Sequence, residues 1–282
     1  MEKELEKAIQ LLESNDYIVV KKTLNEGIDI DYQNNLISYN PSHEKNVDTS
    51  FSNNPTNDTE LIAGVPVWSI FKRMKGSYGD GNPLIYALKG EGQWEFATPK
   101  DKEQILKQFD DIANKFVRTH SFNVTVIIPS SNTLNKFIAS TITDKVENAE
   151  ILEDVVCKLT TESLMNMVLK KDSKFKRYYK DNFEDAWNEL LIYIEYMNKE
   201  KNGTFARHYV RNSEMRNVLD VTIELNKDKY AEFANKINGQ DILIIDDTIS
   251  RGQTIKEMVK NIKSTYTPRS ITVLTLMSKL YD

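Results

Sequence analysis

The 282-residue chain has one cysteine, three histidines and only ten glycines. A single thiol, Cys157, makes no internal disulfide, and with three scattered histidines it makes no zinc constellation. No stretch approaches the roughly 20 apolar residues that span a bilayer. The opening Met1-Glu2-Lys3-Glu4 lacks a basic start leading into an apolar run, so neither a membrane helix nor a secretory leader is expected, and the expected location is the cytoplasm. Basic residues are outnumbered too. With 37 Lys plus Arg against 42 Asp plus Glu, the formal net charge is −5, which argues against bulk nucleic-acid binding. What is present is enough apolar material, 40% of residues, for one large domain or two small ones.

The spacing of Leu5, Ala8, Ile9 and Leu12 predicts a helix, and Tyr17–Val20 a strand. Residues 40–60 are mostly Asn, Ser, Thr, Asp and Pro and read as a long exposed loop. Val65–Phe71, Leu84–Leu88 and Trp94–Phe96, separated by glycine-containing turns, read as short antiparallel strands. Thr98 as cap, Pro99 in the first turn and apolar spacing from Ile105 to Val117 then predict a long helix. From Val124 the pattern changes. Strands are expected at Val124–Ile128, Ile151–Leu159, Ile242–Ile245 and Ile271–Met277, with helices after Thr133 and at Thr161–Leu169, Phe183–Met197 and Thr254–Ser264. Continuous apolar strands alternating with helices predict an α/β fold, a parallel sheet covered on both faces. The expected organisation is an N-terminal α+β region, 1–120, followed by a second domain, 121–282.

The most informative string runs Asp241-Ile242-Leu243-Ile244-Ile245-Asp246-Asp247-Thr248-Ile249-Ser250-Arg251-Gly252-Gln253-Thr254. A buried strand delivers two adjacent carboxylates to its C-terminal edge, where open α/β sheets place their ligands. A hydroxyl-rich turn with one glycine then opens into a helix, so several backbone N–H groups converge at the positive end of that helix and suit a phosphate. Carboxylates beside a phosphate cradle are useful if they serve another part of the ligand, such as the cis-diol of a ribose or a magnesium ion. A strand ending in Asp-Asp also occurs in P-loop ATPases, but no glycine here is followed by lysine, so that loop is missing.

This string resembles the phosphoribosyl-pyrophosphate (PRPP) motif of type I phosphoribosyltransferases, and its inner form, Asp-Asp-Thr-Ile-Ser-Arg-Gly-Gln-Thr, is similar to that of amidophosphoribosyltransferases. The amino-terminal nucleophilic cysteine of the latter is absent. The resemblance covers roughly Val124 to Met277. It implies a type I phosphoribosyltransferase-like fold in which Asp246 and Asp247 hold the ribose hydroxyls and Thr248, Ile249, Ser250, Arg251, Gly252, Gln253 and Thr254 wrap the 5-phosphate. It also implies Mg2+ as cofactor, carried on the ligand and within reach of Asp246 and Asp247. The matching pyrophosphate loop is Ser130, Ser131, Asn132 and Thr133, which has hydroxyls and amides but neither glycine nor a basic residue.

A basic loop that closes over the pyrophosphate is expected between the second and third core strands. Residues 205–217 occupy that place, and Arg207, Arg211 and Arg216 are the candidates for neutralising charge as the C1–O bond breaks. The segment Lys170–Lys180 is a second basic stretch, read as a solvated face with aromatics packed beneath it, with nucleic-acid contact as the competing reading. The acceptor hood is expected from residues 1–120 or from 160–216. The leading expectation is transfer of phosphoribosyl from PRPP to a small-molecule acceptor with release of pyrophosphate, with a homodimer left open. The alternative is a non-catalytic protein of the same fold that senses PRPP or another nucleotide, favoured by the composition of Ser130–Thr133.

Overall fold

A computed structural model describes residues 25–57, 61–75, 82–90, 92–130, 133–206, 209–219, 222–249 and 252–281. The helix expected at Leu5–Leu12 and the strand at Tyr17–Val20 lie outside the described residues. In chain order the strands are β1 (Gly27–Asp31), β2 (Leu36–Asn40), β3 (Val47–Asp48), β4 (Thr56–Asn57), β5 (Val67–Met74), β6 (Glu95–Phe96), β7 (Val124–Ile127), β8 (Glu150–Leu152), β9 (Val156–Lys158), β10 (Ile223–Leu225), β11 (Asp241–Thr248) and β12 (Ser270–Tyr281). The helices are α1 (Asn82–Lys89), α2 (Pro99–Thr119), α3 (Leu134–Thr143), α4 (Thr161–Leu169), α5 (Lys174–Tyr178), α6 (Phe183–Glu200), α7 (Ser213–Val218), α8 (Tyr230–Ile237) and α9 (Gln253–Thr265).

The central sheet runs β3-β5-β12-β11-β7-β8, with β4 also on β5. Strands β5, β12, β11, β7 and β8 are mutually parallel, whereas β3 and β4 pair antiparallel with β5, so the sheet is mixed rather than wholly parallel. Alternation along β11 explains the two-sided cover. Leu243 and Ile245 enter one apolar cluster, with α1, α2 and α3, while Ile242 and Ile244 enter the other, with α8 and α9. A third cluster joins α4, α5, α6 and α7, whose buried residues include Leu164, Phe175, Leu190, Ile194 and Met215. No described helix is long and apolar enough to cross a membrane.

Several expectations require correction. Residues 65–96 do not form antiparallel strands throughout: β5 runs parallel to β12, and 82–89 is a helix. Pro83 suits a first helical turn, and Leu84, Ile85 and Leu88 lie on one helical face that the core covers. The polar segment 40–60 is not simply exposed. Asp48, Ser50 and Asn54 are buried and satisfy one another: Ser50 N and Asn53 Nδ2 donate to the Asp48 carboxylate at 2.9 and 2.8 Å, and Asn54 Nδ2 donates to the Ser50 carbonyl at 3.0 Å. Low apolar content therefore did not mean exposure. The strand expected at 151–159 splits at Asp154, whose φ is +61°, so β8 joins the main sheet and β9 pairs with β10 in a separate one. Finally, residues 47–74 supply β3, β4 and β5 of the same sheet that holds β7, β11 and β12.

Candidate functional site

The chain leaves β7 through α3 to β8 on one side, and leaves β11 through α9 to β12 on the other. The neighbours β7 and β11 thus flank a topological switch point, and the crevice beyond their carboxyl ends is where open α/β sheets bind ligands. A cleft of about 690 Å3 lies there, lined by Pro129 from the end of β7, Thr254 from the first turn of α9, and Lys158, Lys201, Tyr209 and Thr222 from the inserted helical layer and its small sheet. That volume suits a small ligand. Lys201 holds its ammonium 5.4 Å from the centre of the Tyr209 ring, and the Tyr209 hydroxyl raises the lysine's pKa by hydrogen bonding to it.

The adjacent carboxylates of β11 have different partners. Asp247 meets Lys89 at the end of α1, with Nζ 2.5 Å from Oδ2. Asp246 accepts the Asp247 N–H at 3.0 Å, and Asn135 Nδ2 lies 3.5 Å from the same oxygen. Asn135, in the first turn of α3, also donates to the Ile128 carbonyl at 3.0 Å, so it ties the end of β7 to the end of β11. Among the described residues its Oδ1 is buried without a hydrogen-bond partner, as is Thr248 Oγ1. Burial first, and the neighbouring Asp247 charge second, push the Asp246 carboxyl up to about 7, against the pull of the Asp247 N–H, Asn135 and Lys89. A carboxyl so placed exchanges its proton near neutrality.

The turn after β11 is partly committed to the fold. The side chain of Ile249 is buried and its N–H donates to the Met277 carbonyl at 3.2 Å. Gly252 sits at φ +65° as the residue preceding α9, and Ile62 packs so closely that a Cβ on Gly252 would lie 2.7 Å from its Cδ1. Gln253 Nε2 lies 3.4 Å from Glu257 Oε1, and Glu257 Oε2 accepts the Thr222 N–H at 2.8 Å, which fastens α9 to the base of β10 beside the cleft. The first-turn N–H groups of α9 have no partner within the helix, which leaves them for an anion.

The sequence candidates are thus distributed as follows. Thr254 lines the cleft; Asp246 and Asp247 lie at the end of β11, outside its lining. Ser250 and Arg251 lie outside the described residues, as do Ser131, Asn132 and Arg207. Ser130 follows β7, and Thr133 precedes α3 without capping it through its side chain. Arg211 lines a neighbouring 600 Å3 pocket with Tyr193, Tyr196 and Tyr209, and Arg216 lies on α7. Within the stretch expected as the basic closing loop, Phe205, Val210 and Met215 are buried. Lys89, Lys158, Lys201 and Asn135 carry no motif and escaped sequence reasoning. The one available signal was that Lys158 and Lys201 flank the inserted helices. Along the other basic stretch Phe175 and Tyr179 are buried, while Lys176 donates to the Leu169 carbonyl at 2.6 Å.

The carboxylate pair does not fit a protein-held Mg2+. One oxygen of Asp247 is taken by an ammonium, and the described residues contain no group of three or more His, Cys, Asp or Glu able to hold a metal ion. No protein-family model matches the chain, and no curated protein matches it either.

Proposed function

We propose that the crevice between β7 and β11 binds PRPP through a type I phosphoribosyltransferase-like fold, and that the protein transfers the phosphoribosyl group to a small-molecule acceptor with release of pyrophosphate. The observation that carries this reading is the carboxylate pair at the end of β11 followed at once by the amino end of α9, both at the switch point of the sheet. The carboxylates accept hydrogen bonds from the ribose hydroxyls. Asp247 retains Oδ1 for this purpose, since a carboxylate offers about four acceptor positions and Lys89 engages Oδ2. The amino end of α9 and Thr254 receive the 5-phosphate. Lys158 and Lys201, facing the cleft, are further cations, beside the arginines expected from the sequence, for neutralising the departing pyrophosphate. Catalysis then rests on positioning and charge stabilisation, with no covalent protein nucleophile.

The test is calorimetric binding of PRPP to the wild type and to an Asp246→Asn, Asp247→Asn double variant. The expected result is a folded variant whose affinity falls at least about tenfold, about 1.4 kcal/mol; unchanged affinity overturns the assignment. A second reading, a non-catalytic sensor of PRPP, is favoured by Ser130–Thr133, which has no basic residue. Pyrophosphate release from PRPP with a panel of bases and amines separates the two.

A further inference from the structure

The carboxylate pair already has a cation, and its support differs from that of an ordinary surface lysine. Lys89 is the last residue of α1, so its ammonium lies at the negative end of that helix. The helix is anchored: Leu84 and Ile85 are buried, and Arg73 Nη1 on β5 donates to Asn82 Oδ1 at 2.7 Å. The Lys89 and Asp247 side chains are only 15% and 14% exposed. An exposed lysine pair is worth little, but a mostly buried pair is held by the penalty of leaving either charge alone. Sequence separation, 158 positions from Lys89 to Asp247, hides the pair from any local motif.

We propose that Lys89 is the resident cation of the Asp246–Asp247 site, an ammonium occupying the position a divalent ion would otherwise take against Asp247, so that a pentose phosphate is bound there without a metal ion in contact with these carboxylates. The part concerning the ligand rests on the function proposed above. The part concerning the cation does not, because it follows from the Lys89–Asp247 geometry. Lys89→Met removes the ammonium and keeps an apolar stem; Lys89→Arg keeps the charge.

The experiment uses the full chain and follows the electron paramagnetic resonance signal of free Mn2+ during titration. The expected result is that wild type and Lys89→Arg leave Mn2+ free, whereas Lys89→Met takes up one Mn2+ that Mg2+ displaces and that Asp247→Asn abolishes. Two results overturn the proposal: Asp247-dependent Mn2+ uptake by the wild type, or a Lys89→Met protein with wild-type circular dichroism that takes up none. If Lys89→Met does not fold, Lys89→Gln gives the same readout. Calorimetry with ribose 5-phosphate supplies the ligand arm, where the expected wild-type affinity is equal in EDTA and in Mg2+, and a requirement for Mg2+ overturns it. Ribose 5-phosphate that binds under neither condition overturns the ligand reading alone, while Mn2+ uptake still decides the role of Lys89.

Discussion

Asp246 makes the fold sensitive to pH in a direction opposite to that of a salt-bridged carboxylate. Its unfolded pKa is near 3.9 and burial raises the folded value to about 7, so between these values the folded state holds a proton that the unfolded state has released. Stability therefore falls as pH rises through that window and is level above it. Asp246→Asn keeps an oxygen for the Asp247 N–H and removes the titration. It is expected to flatten urea-unfolding free energies between pH 4 and 7 and to add about 1–3 kcal/mol at pH 8; a profile parallel to wild type would count against this account. Gly252 tests a different cost. An alanine at φ +65° is strained in its backbone, whereas the clash with Ile62 involves the movable end of a side chain. Gly252→Ala should lose about 1–2 kcal/mol in urea unfolding, of which Ile62→Ala in the same chain recovers little. Recovery of most of the loss would place the cost in the contact instead.

Strand β11 and helix α9 were legible in the sequence: Ile242–Ile245 was expected and Asp241–Thr248 found, Thr254–Ser264 expected and Gln253–Thr265 found. A strand buried on both faces and a helix with one apolar stripe write their periods into adjacent residues. What joins this unit to the rest was not legible, because it runs through single side chains from distant segments. Glu257 is the clearest case. Buried on α9, it accepts from Thr222 at the foot of β10, and burial raises its pKa while those hydrogen bonds lower it. Glu257→Ala leaves the Thr222 N–H without its acceptor and should cost about 1–3 kcal/mol of stability, whereas Glu257→Gln, which keeps an oxygen there, should cost less. Thermal or urea unfolding of both variants checks the order, and equal losses would assign the effect to charge. Segment 40–60 failed for the converse reason: its polar residues pack against one another, and a composition-based reading has no means of pairing Asp48 with Ser50, Asn53 and Asn54.

Among the described residues, apolar burial divides into three clusters, two on the faces of the sheet and one within α4–α7. The third meets the sheet through short links such as Thr222–Glu257 and the β9–β10 pair. Native-state hydrogen exchange should therefore show α6 opening at lower free energy than β11 and β12, because cooperative units follow contiguous cores. Equal protection would make the clusters one unit. The candidate cleft lies where the helical cluster faces the sheet, which is why Thr254 alone of its lining residues belongs to the β11 motif. The order of the sheet has a further consequence, for biosynthesis. Strand β12 lies between β5 and β11 yet is made after both. During translation those earlier strands each present an unpaired edge, separated by a gap one strand wide, and chain register across the gap is set only when β12 enters it. Folding of the ligand crevice thereby waits for β12, and a nascent chain lacking β12 exposes two adhesive edges at β5 and β11 that β12 later covers.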